Sequence, residues 1–200
     1  MTRLLLSVGA ALLLTVGTVW ADPLEDATAA YKRGDYATVF KTLEPLATQG
    51  NAGAQYRLGA LYELGHGVRQ DYVTAREWYE KAAAQGDAGA QYNLGGLYAH
   101  GQGVPQDYAK ASQWWEQAAA QNDTWAQYNL GTFYFQGQGV PKDYVRAYMW
   151  LNLAAAHLTG DEQKSAANNR DKAASFLTPA QIAEAQRLAQ QCQAQQSKGC

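Results

Sequence analysis

AGAQYRLGALYELGHGVRQDYVTAREWYEKAAAQGD, from Ala52 to Asp87, is written again from Ala88 to Asp123, and a third copy begins at Thr124. The pairs Leu58-Gly59, Leu94-Gly95 and Leu130-Gly131 stand 36 residues apart. Tyr62, Tyr98 and Tyr134 keep that step, as do Asp71, Asp107 and Asp143, and Trp78, Trp114 and Trp150. A fixed period of about 20 to 50 residues marks a repeat array, in which each unit buries its apolar face against its neighbours. Side chains that recur at every period hold repeat on repeat. Function is then sought where the copies differ.

Each copy reads as two helices. The first follows Asn51, Asp87 or Asp123, whose side-chain oxygen can accept from an orphan N–H of the first turn. Ala54, Leu58, Leu61 and Tyr62 recur at helical spacing in the first copy. The helix stops at Gly65/Gly67, Gly101/Gly103 and Gly137/Gly139, followed by Val68, Val104 and Val140, which are expected to drop into the core. The second helix starts near Asp71, Asp107 or Asp143, where negative charge suits a helix N-terminus. It carries a small residue at Ala75, Ala111 and Ala147, and a large one at Trp78, Trp114 and Trp150, read as packing between repeats. Trp115 replaces Tyr79 and Leu151.

The period extends upstream. Asp35-Tyr36 precedes Asp71-Tyr72 by one step, but the Gly-x-Gly loop is missing, so residues 22–51 are a shortened helix pair that starts the stack. Repeats 1 to 3 occupy 52–87, 88–123 and 124–160. Residues 161–200 are a helical cap, in which Thr178-Pro179-Ala180-Gln181 has the pattern of a capping box. Ile182, Ala185, Leu188, Ala189 and Cys192 form the apolar stripe of the last helix.

The pattern Ala-x-Tyr-x-Leu-Gly-x-x-Tyr-x-x-Gly-x-Gly-Val-x-x-Asp-Tyr-x-x-Ala-x-x-Trp-x-x-x-Ala-Ala resembles the Sel-one-like repeat (SLR) family, relatives of the tetratricopeptide repeat. The resemblance implies an all-α, right-handed solenoid of antiparallel helix pairs. It also implies an adaptor that holds a protein or peptide on the concave face lined by the first helices. A cysteine-rich branch of the family is associated with β-lactam binding and hydrolysis. None of the three copies here carries a cysteine, so that activity is not carried over.

Residues 1–21 read as a cleavable secretory leader, with Arg3, an apolar run from Leu4 to Val19, and a cleavage site near Ala21. A periplasmic or secreted protein is expected, with no membrane segment after cleavage. Removing Arg3 from the 16 basic residues leaves 15 against 18 acidic ones, a net charge of −3. With no basic cluster, nucleic acid is not expected as a partner. Cys192 and Cys200 are close enough in sequence to form a disulfide in an oxidising compartment, and free thiols or pairing with another chain stay open.

No catalytic residue, metal site or cofactor is expected. His66 and His100 read as solvated loop residues, and His157 stands near a helix end. Asp71, Asp107 and Asp143 recur one per repeat, which fits helix starting better than acid–base chemistry. The candidate partner-binding residues are those that vary on the first helices. Arg57, Asn93 and Asn129 form a ladder able to meet a peptide backbone or a carboxylate. Glu63 stands where Ala99 and Phe135 stand in the later copies. Trp125 and Phe135 make the third copy the most aromatic, a composition suited to an interface anchor. Two other readings remain open: a protein that binds or hydrolyses cell-wall or β-lactam ligands, and a permanent subunit of an envelope secretion or motility complex.

Overall fold

The structure is a computed structural model that describes residues 22–194. The expected leader and Cys200 lie outside the described residues, so the Cys192–Cys200 pairing does too. Ten helices fill the described part, in the order α1 (Pro23–Lys32), α2 (Tyr36–Thr48), α3 (Ala52–Leu64), α4 (Tyr72–Ala83), α5 (Ala88–His100), α6 (Tyr108–Ala120), α7 (Thr124–Gln136), α8 (Tyr144–His157), α9 (Gly160–Ala174) and α10 (Pro179–Ala194). Each helix from α1 to α8 packs on the next, and α10 folds back on α8. This is an all-α solenoid.

The caps are those the sequence requires. Asn51, Asp87 and Asp123 accept from the amides of Ala54, Ala90 and Ala126 at 2.9, 2.8 and 2.8 Å. Asp71, Asp107 and Asp143 cap α4, α6 and α8. Thr178 N–H donates to Gln181 Oε1 at 2.9 Å, and Gln181 N–H donates back to Thr178 Oγ1 at 3.3 Å, closing the capping box on α10.

Within each repeat the Leu-Gly pair makes room for the second helix. A Cβ on Gly59, Gly95 or Gly131 would lie 2.7 Å from Tyr79, 2.3 Å from Trp115 or 2.5 Å from Leu151. Tyr79, Trp115 and Leu151 therefore occupy one register position, and all three are buried. Between repeats the contact is backbone to backbone. A Cβ on Gly139, where φ is +66°, would lie 2.2 Å from Tyr108 O, at the start of the preceding repeat's second helix.

A buried amide ladder joins successive pairs. Gln55, Gln91 and Gln127 donate through Nε2 to Ala47 O, Ala83 O and Ala119 O, at 3.0, 3.4 and 3.3 Å. These carbonyls lie in the last turn of the previous helix, where each also accepts from a backbone amide of the following turn, Gly50, Gly86 or Asn122. Gln163 on α9 does the same to Ala155 O at 3.2 Å, one further 36-residue step along. The first helix of the cap thus keeps the repeat register, although its sequence has lost the Leu-Gly signature.

Two expectations need correction. Val68, Val104 and Val140 are half-buried rather than buried; Val68 and Val140 pack against the core from its edge, where the neighbouring Gly67 and Gly139 lie against the preceding repeat at Tyr36 and Tyr108. His66 is not solvated. Its ring stacks on Tyr36 with centroids 4.4 Å apart, and Nδ1 lies 3.1 Å from the Tyr31 hydroxyl oxygen. His100 is exposed, as the last residue of α5. Of the register tryptophans, Trp150 is fully in the core, while Trp78 and Trp114 are half-buried against the cores they border.

Candidate functional site

Arg57, Ala60, Leu61 and Leu64 follow the i, i+3, i+4, i+7 spacing that gives a helix one continuous face. That face of α3 lines a cavity of about 520 Å³. The opposite wall is α1, with Ala27, Thr28 and Tyr31; Leu43 of α2 lies between, and Tyr79 and Asn93 close the far end. The volume falls in the usual range for ligand pockets, and apolar walls with a few placed polar groups are their usual make-up.

Three of the six candidate residues, Arg57, Glu63 and Asn93, meet in this cavity. Arg57 Nη1 donates to Leu24 O at 2.9 Å and to Thr28 Oγ1, so it ties α1 to α3. Glu63, Tyr79 and Asn93 form a chain. The Tyr79 hydroxyl donates to Glu63 Oε2 at 2.5 Å and accepts from Asn93 Nδ2 at 2.9 Å. Tyr79 is fully buried. Burial first, and then the Glu63 charge, hold its phenol far above the ordinary range, so it stays protonated and donates. The chain crosses three helices, α3, α4 and α5, and fixes the Glu63 carboxylate from behind.

The other three candidates lie elsewhere. Asn129 approaches Tyr92, one repeat back, and its amide favours the ionised phenol there. Trp125 is 44% exposed and meets Tyr128 edge-on at 6.3 Å. Phe135 joins Tyr144 and Phe176 at the far end of the array, with centroids 5.5 and 6.1 Å away. Phe176 stacks on Tyr144 at 4.5 Å and is itself 58% exposed.

Sequence reasoning missed Tyr79 and Tyr56 as parts of the site. Tyr79 stood in a visibly variable position (Tyr79, Trp115, Leu151), and that variation was the available signal. Tyr56 recurs as Tyr92 and Tyr128, and so was absorbed into the packing frame. In the structure Tyr56 is half-buried, and a Cβ on Gly89 would sit 3.0 Å from its ring. Among the described residues, no group of three or more His, Cys, Asp or Glu side chains could hold a metal ion. None of the helices there is long and apolar enough to cross a membrane.

The profile of the Sel1 repeat matches residues 52–87, 88–123 and 126–157. The chain is similar to a Sel1 repeat protein from Oxalobacter formigenes, with 35% identity and a TM-score of 0.66 over 70% of this chain and 58% of that one. It is also similar to c5321, a protective antigen of uropathogenic Escherichia coli strains with an SLR fold, at 28% identity and a TM-score of 0.57, covering 86% of this chain and 46% of that one. The chain thus spans about half the length of these two proteins. No curated protein matches it. Helix pairs, register glycines and the three matched repeats agree: the chain belongs to the Sel1 repeat family.

Proposed function

We propose that this protein is an adaptor that holds a segment of a partner protein in the cavity between α1 and α3. The Sel1 repeat fold itself suggests a scaffold for protein interactions. The observation that carries the finer reading is that this cavity collects the side chains that differ between copies: Arg57, Ala60, Glu63 and Tyr79. An array conserved only for stacking would repeat these positions as it repeats Leu58-Gly59. A groove of this size fits two or three side chains of an extended or helical segment.

The setting proposed is the bacterial envelope, after removal of residues 1–21. The leader-like sequence supports it, as do similar proteins in bacteria, one of them a protective antigen. N-terminal sequencing of the protein recovered from the source cells should begin near Asp22. An intact Met1 in the cytosolic fraction would contradict this.

The groove is tested by filling it. Ala60→Trp places an indole in the cavity, while Glu77→Trp places one on the exposed side of α4. Capture of the partner from envelope extract should be lost with Ala60→Trp and kept with Glu77→Trp, with both variants melting like the parent. Equal capture by both would remove the groove from the account.

A further inference from the structure

Resting on the groove reading, we propose that the cavity between α1 and α3 receives a cationic side chain, lysine or arginine, of the bound segment, with its charge seated at Glu63. Among the described residues, no lysine, arginine or histidine forms an ion pair with Glu63. Its carboxylate is half-buried at this cavity and is held from one side by the fully buried Tyr79 hydroxyl. A carboxylate can accept about four hydrogen bonds, so one partner leaves most of its capacity unused. Placing a cation there satisfies that capacity in a setting where water screens the pair less than at the surface.

The rest of the cavity suits the stem of such a residue. Ala27, Leu43, Leu61 and Leu64 are apolar walls for methylene groups. Tyr31 lines the cavity at its exposed edge and Tyr56 lines it further in, and aromatic faces attract a cation that passes them.

Further acidic groups stand along the same side of the array. The Tyr56 phenol is raised by burial first, and then by the negative charges of Asp87, Asp123 and Glu63, with Arg57 opposing. Tyr92, further along the first helices, is raised by burial and then by Asp123, with Glu63 contributing. Burial is the larger cause at both tyrosines, and the acidic groups of these repeats add to it. Two cations line the cavity: Arg57 is engaged by Leu24 O and Thr28, and Lys32 stands at the exposed edge on α1. Among the lining residues Glu63 alone is anionic, so it is the seat for a positive side chain, and a peptide carboxylate would have to turn to Lys32 at the exposed edge instead.

Three blocked pentapeptides, acetyl-Ala-Leu-X-Leu-Ala-amide with X as lysine, norleucine or glutamate, provide the test. Each is titrated into the isotope-labelled full chain while the backbone amide resonances of residues 57–64 are followed. The lysine peptide should bind about tenfold more tightly than the norleucine peptide, as expected for one added charge-assisted hydrogen bond. Glu63→Gln, which keeps an acceptor for Tyr79, should erase that preference. Equal or tighter binding of the norleucine or glutamate peptide to the parent protein overturns the cation assignment and leaves the groove standing. If none of the peptides shifts these resonances, the groove reading falls, and this inference with it.

Discussion

The two ends of the array share one frame and fill it with opposite chemistry. In repeat 1, the variable positions carry Glu63 and Tyr79, which join Asn93 in a hydrogen-bonded chain at the edge of a cavity. In repeat 3, the same positions carry Phe135 and Leu151. Leu151 is fully buried and has no polar end, and Phe135 turns to Tyr144 and Phe176. The first arrangement fixes a charge beside an open cavity. The second closes the stack with apolar surface. A 36-residue period thus separates what holds the repeats from what distinguishes them, and the distinguishing positions stand at fixed offsets from the Leu-Gly pair.

Breaking the shared frame should have the largest effect. Gly95→Ala brings a methyl to within 2.3 Å of Trp115 Nε1, an atom already held by Tyr92 O at 3.0 Å. The indole is rigid and cannot step aside, so a loss of about 2–3 kcal/mol is expected in denaturant unfolding. Its neighbour Gly96 has nothing within 4 Å of the added Cβ. Gly96→Ala should therefore stabilise by up to about 1 kcal/mol, the helix-propensity difference. Similar effects from the two substitutions would mean that the close approach in the Leu-Gly pair does not set the frame.

A smaller change sharpens the difference between the ends. In repeats 1 and 2, Gln85 and Gln121 donate to Gln55 Oε1 and Gln91 Oε1 at 2.8 Å each. The corresponding residue in repeat 3 is His157, and Gln127 Oε1 is buried there without a partner. His157→Gln should complete the ladder and raise stability by about 1 kcal/mol in denaturant unfolding. A fall in stability would show that the ladder does not continue to the third repeat.

The smallest effect concerns the cap of α7. Burial raises the Asp123 carboxyl above its ordinary 3.8, outweighing the hydrogen bonds from the Ala126 and Trp125 amides that lower it. An acid whose folded-state pKa is raised stabilises the fold least when it is ionised. The cost is absent below 3.8 and complete above the raised value. Asp123→Asn keeps the cap, as Asn51 does in repeat 1, and removes that cost. Thermal unfolding at pH 7 should change by no more than about 0.5 kcal/mol, and in the stabilising direction.

Most of the frame was legible in the sequence, because packing between identical units forces identical residues. Each N-cap from Asn51 to Asp143 sits at the start of its helix, and the capping box at Thr178 closes as expected. The buried amides of Gln55, Gln91 and Gln127 recur as an Ala-Gln-Tyr triplet, but their carbonyl partners lie eight residues back across a turn, on residues whose side chains carry no sign of the contact. The register of α9 was hidden for the opposite reason. Ala166 and Ala167 replace the Leu-Gly pair, so geometry persists where the pattern does not. Within the site, variation between copies pointed to Arg57, Glu63 and Asn93. It could not show that Arg57 turns toward α1 or that Tyr79 joins the two others.

Amide hydrogen exchange of the full chain, with and without its captured partner, tests the central claim most directly. The account predicts slowed exchange in residues 23–32 and 52–64, the two walls of the cavity, with residues 160–194 unchanged. Protection confined to residues 160–194, around Phe176, with none on α1 and α3, would contradict it.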